Sequence, residues 1–250
     1  MMGNKLKIGI EINEVLRARW LQFDRFYAQE FGEEGIPKEP YVYDFFKHYK
    51  WEDRVESIKV LKEPEDMPED INPLDYQLET ENGEAPADFA LFKLPEEIKL
   101  SAREVYNRFM YEDFVYEIFA CSPIMYKGMD LHIKQFYEKY KDFLEFTVYS
   151  VENQFSIPST LFFLSKMTSR FSNYKFVENP IDMLNDVDIF ITTDPEVLSH
   201  GQFLDRKIIK LHRPYNEKLT SVNCSLEALQ IADLIDNPEF EKIINYIKPE

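Results

Sequence analysis

The chain has 250 residues, 44% of them apolar and 30% charged, with a formal net charge of −17 at pH 7. That length accommodates one α/β domain with a large insertion, or two small domains, and the apolar share is ordinary for a soluble globular protein. The negative balance argues against nucleic acid as a direct ligand, because phosphate backbones draw on clustered Lys and Arg, and it equally disfavours anionic membrane surfaces; a protein partner with basic surfaces fits better.

In chain order, Lys5 to Ile12 reads as a strand, with Leu6, Ile8, Ile10 and Ile12 in alternation. A helical pattern follows over Arg17–Phe31, closing at Gly32. The rhythm then breaks. Residues 51–97 carry 15 acidic and 4 basic side chains, hence −11 of the total charge, together with five prolines, and no single regular element tolerates that composition. Helical patterning returns at Ser101–Phe119 and Met129–Tyr140. A buried strand is predicted at Phe143–Ser150, a helix at Ile157–Phe171, a strand at Tyr174–Val177 and a helical turn at Ile181–Leu184. Val187–Thr192 is the next strand, and Asp194 with Pro195 caps and opens a short helix. Lys207–Leu211 reads as the last strand, before helices near Ser225–Ile235 and Asn237–Ile247.

Strands alternating with helices predict an α/β fold with a doubly wound parallel sheet, whose ligand edge lies at the C-terminal ends of the strands. About 130 residues separate the first two strands, against roughly 15–30 in the later units. The expected organisation is therefore a core of residues 1–32 and 125–250, with a cap or arm at 33–124 that contains the acidic, Pro-rich stretch.

Cys121 and Cys224 have no metal-site spacing and are expected to be free thiols in a reducing compartment. His48, His132, His200 and His212 lack ligand spacing as well. No 18-residue apolar run occurs, and the chain runs straight into a strand without a leader pattern, so a cytoplasmic or virion location is expected rather than secretion. Lys, Ile, Asn, Tyr and Phe make up 90 residues, a bias toward AT-rich codons that fits a viral genome.

The opening Ile8-Gly9-Ile10-Glu11-Ile12-Asn13-Glu14-Val15-Leu16 resembles the first motif of phosphatases of the haloacid dehalogenase (HAD) superfamily, a strand running into Asp-x-Asp-Gly-Val-Leu. Three later stretches are similar to the 5′(3′)-deoxyribonucleotidase branch: Thr147-Val148-Tyr149-Ser150, Ile191-Thr192-Thr193-Asp194-Pro195-Glu196 and Arg213-Pro214-Tyr215-Asn216. The resemblance spans about residues 5–32 and 125–216 and implies a HAD-like core with an insertion after the first strand. In that family the first Asp attacks phosphorus, the second is the general acid and base, Mg²⁺ takes oxygens from the first Asp and from an Asp-Asp turn, and a Lys neutralises the phosphate. Here the nucleophile position is Glu11, one methylene longer, and about 1 Å of misplacement can cost roughly 100-fold in rate. The acid/base position is Asn13, which exchanges no proton at neutral pH. Glu14 stands at the Gly position, Thr192 and Thr193 replace the Asp pair, and no Lys lies near Glu178-Asn179-Pro180. Ser150 alone stands where the family has Ser or Thr.

The resemblance thus implies a degenerate site with no metal and no cofactor. The expected function is that of a catalytically inactive structural or interaction subunit of a larger protein assembly, such as a tailed-phage particle. Its contact residues are expected on the arm: Leu74, Tyr76, Leu78, Phe89, Leu91 and Phe92. The alternatives are a Mg²⁺-dependent 5′-nucleotidase with altered motifs and a nucleotide or phosphate sensor.

Overall fold

The structure, a computed structural model, describes residues 5–36, 42–51, 57–60, 96–167, 171, 173–200, 206–219 and 224–247. The elements run β1 (Leu6–Glu11), α1 (Arg19–Phe31), a one-turn α2 (Phe45–His48), β2 (Ser57–Val60), β3 (Glu96–Lys99) and α3 (Ala102–Arg108). Two π-helical turns, Phe109–Asp113 and Tyr116–Ala120, lead to α4 (Met129–Tyr140), β4 (Leu144–Val151), α5 (Ile157–Lys166) and β5 (Asn173–Val177). Then come β6 (Ile189–Thr192), α6 (Pro195–Ser199), β7 (Lys207–Leu211), β8 (Cys224–Ala228) and α7 (Pro238–Ile247). By internal contacts the chain divides into two compact units, Met1–Lys50 with Tyr106–Glu250, and Trp51–Val105. The antiparallel β2–β3 pair belongs to the second. Most of the acidic stretch, including all six arm contact residues named above, lies outside the described residues.

In the first unit six parallel strands lie in the order β5-β4-β1-β6-β7-β8. The order reverses at β1, whose neighbours are β4, with Ile8 level with Phe146, and β6, with Ile8 level with Ile189. A parallel sheet is covered on both faces, so its strands are apolar on both sides. Ile8, Ile10, Ile191 and Leu211 pack with Met129 and Phe136 of α4 and Phe240 of α7. Phe190 and Ile208 point the other way, into Leu184, Val197 and Leu198. Reversal at β1 sets the C-terminal ends of β1, β4 and β6 side by side, and such a switch point is where open α/β sheets form their crevice. No helix among the described residues is long and apolar enough to cross a membrane.

Three sequence expectations change. The helix expected at Ser225–Ile235 is strand β8 followed by a 3₁₀ turn, Ile231–Leu234, so Lys207–Leu211 is not the last strand. Cys224, Leu226 and Ala228 alternate with exposed Ser225 and Glu227, the period of an edge strand. The helix expected over Ser101–Phe119 is α-helical only to Arg108 and continues as π turns. The helix from Ile157 stops at Lys166, where Met167 turns extended.

Candidate functional site

The five positions singled out in the sequence converge at the switch point. Glu11, Asn13, Ser150, Thr192 and Thr193 are all at least 98% buried. The register of β1 against β4 sets Glu11 level with Tyr149, so Ser150 lies one residue beyond it.

Asn13 belongs to a closed ring of hydrogen bonds. Its Nδ2 donates to Ser150 Oγ at 3.1 Å, and Ser150 Oγ donates to Glu152 Oε1 at 2.7 Å. The same carboxylate oxygen accepts from Arg17 Nη2 at 2.7 Å, and Arg17 returns to Asn13 Oδ1 through Nη2 at 2.5 Å and Nε at 3.2 Å. Arg17 Nη1 is spent on the Phe119 carbonyl at 2.8 Å and Thr160 Oγ1 at 2.7 Å. Thr160 also donates to Glu152 Oε1 at 2.9 Å, and Ser156 donates to Oε2. The Arg17–Glu152 pair is wholly enclosed, and such a pair survives only where every remaining donor and acceptor is met.

Glu11 is saturated in its own way. Thr192 Oγ1 donates to Oε2 at 2.6 Å and the Thr193 amide at 2.9 Å, while Tyr43 donates to Oε1 at 3.1 Å. Thr192 Oγ1 in turn accepts from the Asp194 amide. Asp194 caps α6, as its place before Pro-Glu predicts, with Oδ1 accepting from the Glu196 amide at 2.7 Å. Its Oδ2 is enclosed, with the Tyr43 side chain beside the carboxylate.

Glu14 takes φ 59 and is the one described non-Gly residue with a positive φ. That conformation costs a residue with a Cβ roughly 1–2 kcal/mol, and Glu14 occupies the position where the resembled motif carries Gly. Arg213 clamps this turn, donating to the Glu14 carbonyl from Nε at 2.9 Å and Nη2 at 2.6 Å. Asn216 joins the same loops through the Thr193 carbonyl at 2.9 Å and the Leu211 carbonyl at 3.0 Å. The Arg213-Pro214-Tyr215-Asn216 stretch therefore ties the ends of β1, β6 and β7 together.

Burial, outweighing the donors around it, holds the Glu11 carboxyl above the usual range. Burial pushes Glu14 up to about 7 despite Arg19 nearby, and burial together with Glu11 pushes Asp194 up to about 7. A carboxyl whose folded-state pKa is raised favours the folded protein below its unfolded value, and that contribution is lost as pH rises through the folded value. Stability should therefore fall between about pH 4 and pH 7. Denaturation midpoints against pH check this, with Asp194→Asn, which keeps the cap, and Glu14→Gln flattening the slope. Equal slopes in both variants and the parent would assign the fall to the general acidic charge.

Sequence reading reached the converging carboxylate, amide and hydroxyls but missed Arg17, Arg19, Tyr43, Glu152, Ser156 and Thr160. A signal existed for some: Arg17-Ala18-Arg19 stands where the chain leaves the first strand for an apolar helix, and Glu152 lies just past a strand end. Among the described residues no three Asp, Glu, His or Cys side chains are grouped to hold a metal ion. Asn13 and the threonines supply no group that titrates near neutrality. Neither the protein-family models nor the curated proteins compared with this chain match it.

Proposed function

We propose that the chain is a catalytically silent protein of the HAD-like type that serves as a structural or interaction subunit of a larger protein assembly. The observation that carries this reading is the ring through Asn13, Arg17, Glu152 and Ser150. A group that shuttles a proton must be free to release one and to reach substrate. Asn13 has none to release, and both its amide atoms are tied inside the protein. Glu11, at the attacking position of the resembled motif, has both oxygens bound by donors of its own chain. The strand order with its reversal beside β1, the left-handed turn at Glu14 and the engagement of Arg213 with that turn all suit a HAD-like core.

The expected result is no phosphatase activity above background on deoxynucleoside monophosphates or p-nitrophenyl phosphate with Mg²⁺, Mn²⁺ or Co²⁺. Glu11→Asp combined with Asn13→Asp should stay inactive, because Arg17 would capture the carboxylate introduced by the second change and Thr192 and Thr193 remain poor Mg²⁺ ligands. Metal-dependent turnover abolished by Glu11→Ala would overturn the reading. For the assembly role, deletion of 63–88 should leave the α/β circular-dichroism signature and remove co-sedimentation with the native particle. Unchanged co-sedimentation would move the contact surface elsewhere.

A further inference from the structure

The helices of the first unit differ in what they show to the outside. α4 turns Lys134, Gln135 and Glu138 outward, and α7 turns out Glu239, Glu241 and Lys242, the charged face expected of a surface helix. α5 does not. Its inner side buries Thr160, Phe163 and Leu164, yet its outer side carries Pro158, Leu161 and Phe162, with no charge before Lys166. Those three fall at the spacing that brings side chains onto one helical stripe. Leu161 is 44% exposed and Phe162 43%, and Phe155, in the turn that leads into the helix, is 61% exposed.

A neighbouring element extends the stripe. α5 packs against the π turn of Tyr116–Ala120. From that turn Tyr116, 47% exposed, brings its ring centre to 5.5 Å from that of Phe162. Single exposed apolar residues need no explanation, whereas a joined set of rings and aliphatic side chains does. The one cation beside the rings on α5 is spent: the Lys166 ammonium lies 4.5 Å from the Phe162 ring centre and donates to the Ala120 carbonyl at 3.2 Å. Glu112 and Glu117, on the two π turns, have no hydrogen bond and no ion pair among the described residues.

We propose that α5 and the adjoining π turn form a docking surface for an amphipathic helix of another protein, one with aliphatic or aromatic residues on its inner face and Lys or Arg along its flanks. The surface rests on the interaction role proposed above and gives that role a contact within the first unit. Two helical elements side by side make a bed for a third, whose apolar anchors recur at three and four residues. Charge decides the flanks: the unspent carboxylates on the π turns are negative, and the chain as a whole carries −17. Area decides the size. Side chains exposed to this degree present on the order of 400 Å² of apolar surface, about half of what each partner of a standard interface covers. That is small for a second copy, which would also bring another −17 to the contact. It suits a single helix.

Fluorescence anisotropy of three designed helical peptides against the full chain is the test. The first peptide carries Leu and Phe on one face and Lys on the other, the second has Glu in place of Lys, and the third is the first with its order scrambled. The first should bind at least about tenfold more tightly than either of the others, and less tightly as salt rises. Phe162→Ser should weaken it by about tenfold, and Leu161→Ser and Phe155→Ser measurably, while Gln135→Ser on α4 leaves it unchanged. The Leu161 and Phe155 variants cover the case in which Phe162→Ser lowers the melting midpoint. No binding of the first peptide, equal binding of the first and third, tighter binding of the second, or binding unmoved by all three variants overturns the surface. So does a dimer in sedimentation velocity that Leu161→Ser dissociates, because a second copy then occupies the face. Co-sedimentation with the native particle separates the two proposals. Peptide binding absent while co-sedimentation persists removes this surface alone, whereas a chain that sediments apart from the particle removes the interaction role and this surface with it.

Discussion

Glu152→Gln is expected to destabilise the first unit by about 3–5 kcal/mol, the usual cost of stripping one partner from an enclosed ion pair. The change keeps the side chain's size but leaves the Arg17 charge uncompensated at zero exposure. It also faces Ser150, Ser156 and Thr160, all of which donate to Glu152, with an amide that must itself donate. Denaturant titration reads the loss as a lower midpoint. Pairing the change with Arg17→Met should recover a large part, since replacing both members of a buried pair by apolar or neutral groups is often close to neutral. A midpoint unchanged in the single variant would mean that the ring around Asn13 contributes nothing to the fold.

Gly9→Val is the second large effect, and it acts by overpacking. A Cβ at Gly9 would sit 2.4 Å from Phe190 Cδ2, 2.8 Å from Phe190 Cε2 and 2.9 Å from Val187 Cγ1. Phe190 is wholly buried among Leu184, Val197 and Ile208, so its ring cannot swing clear. Overpacking of this kind costs ~1–3 kcal/mol even for modest insertions, and β1 cannot shift because it is paired on both sides. Thermal melts of Gly9→Val and Gly9→Val with Phe190→Ala decide the cause. Recovery in the double variant assigns the loss to the ring contact, and no recovery assigns it to the strand backbone.

The sequence was most legible where one local rule governs. Lys207–Leu211 and Met129–Tyr140 are strand and helix as their periodicities require, and Asp194 caps α6 because Asp-Pro-Glu is a self-contained signal. Legibility failed where two rules compete within a few residues. Ala228, Ile231 and Leu234 recur every three residues as one face of a helix would, yet the first lies on an edge strand and the last two on a 3₁₀ turn. The site divides along the same line. Glu11, Asn13, Ser150, Thr192 and Thr193 stand at strand ends, where position in the chain fixes position in space. The contact between Arg17 and Glu152 joins residues 135 apart, and nothing local to either side chain marks it. Glu14 is a mixed case: its identity departs from the resembled motif, while its backbone keeps the left-handed turn, held from outside by Arg213.

The pairing of β1 also governs how the chain must reach its native state. Leu6 lies level with Leu144, and Ile8 with Ile189, so both edges of this strand wait for partners synthesised far later. Parallel pairings between such distant segments close large loops before any contact rewards them, which makes folding slow. At translation rates of roughly 5–20 residues per second, a strand rich in isoleucine stays unpaired for at least about seven seconds before β4 is even made. The centre of the finished sheet is therefore the segment most dependent on protection while the protein is being born.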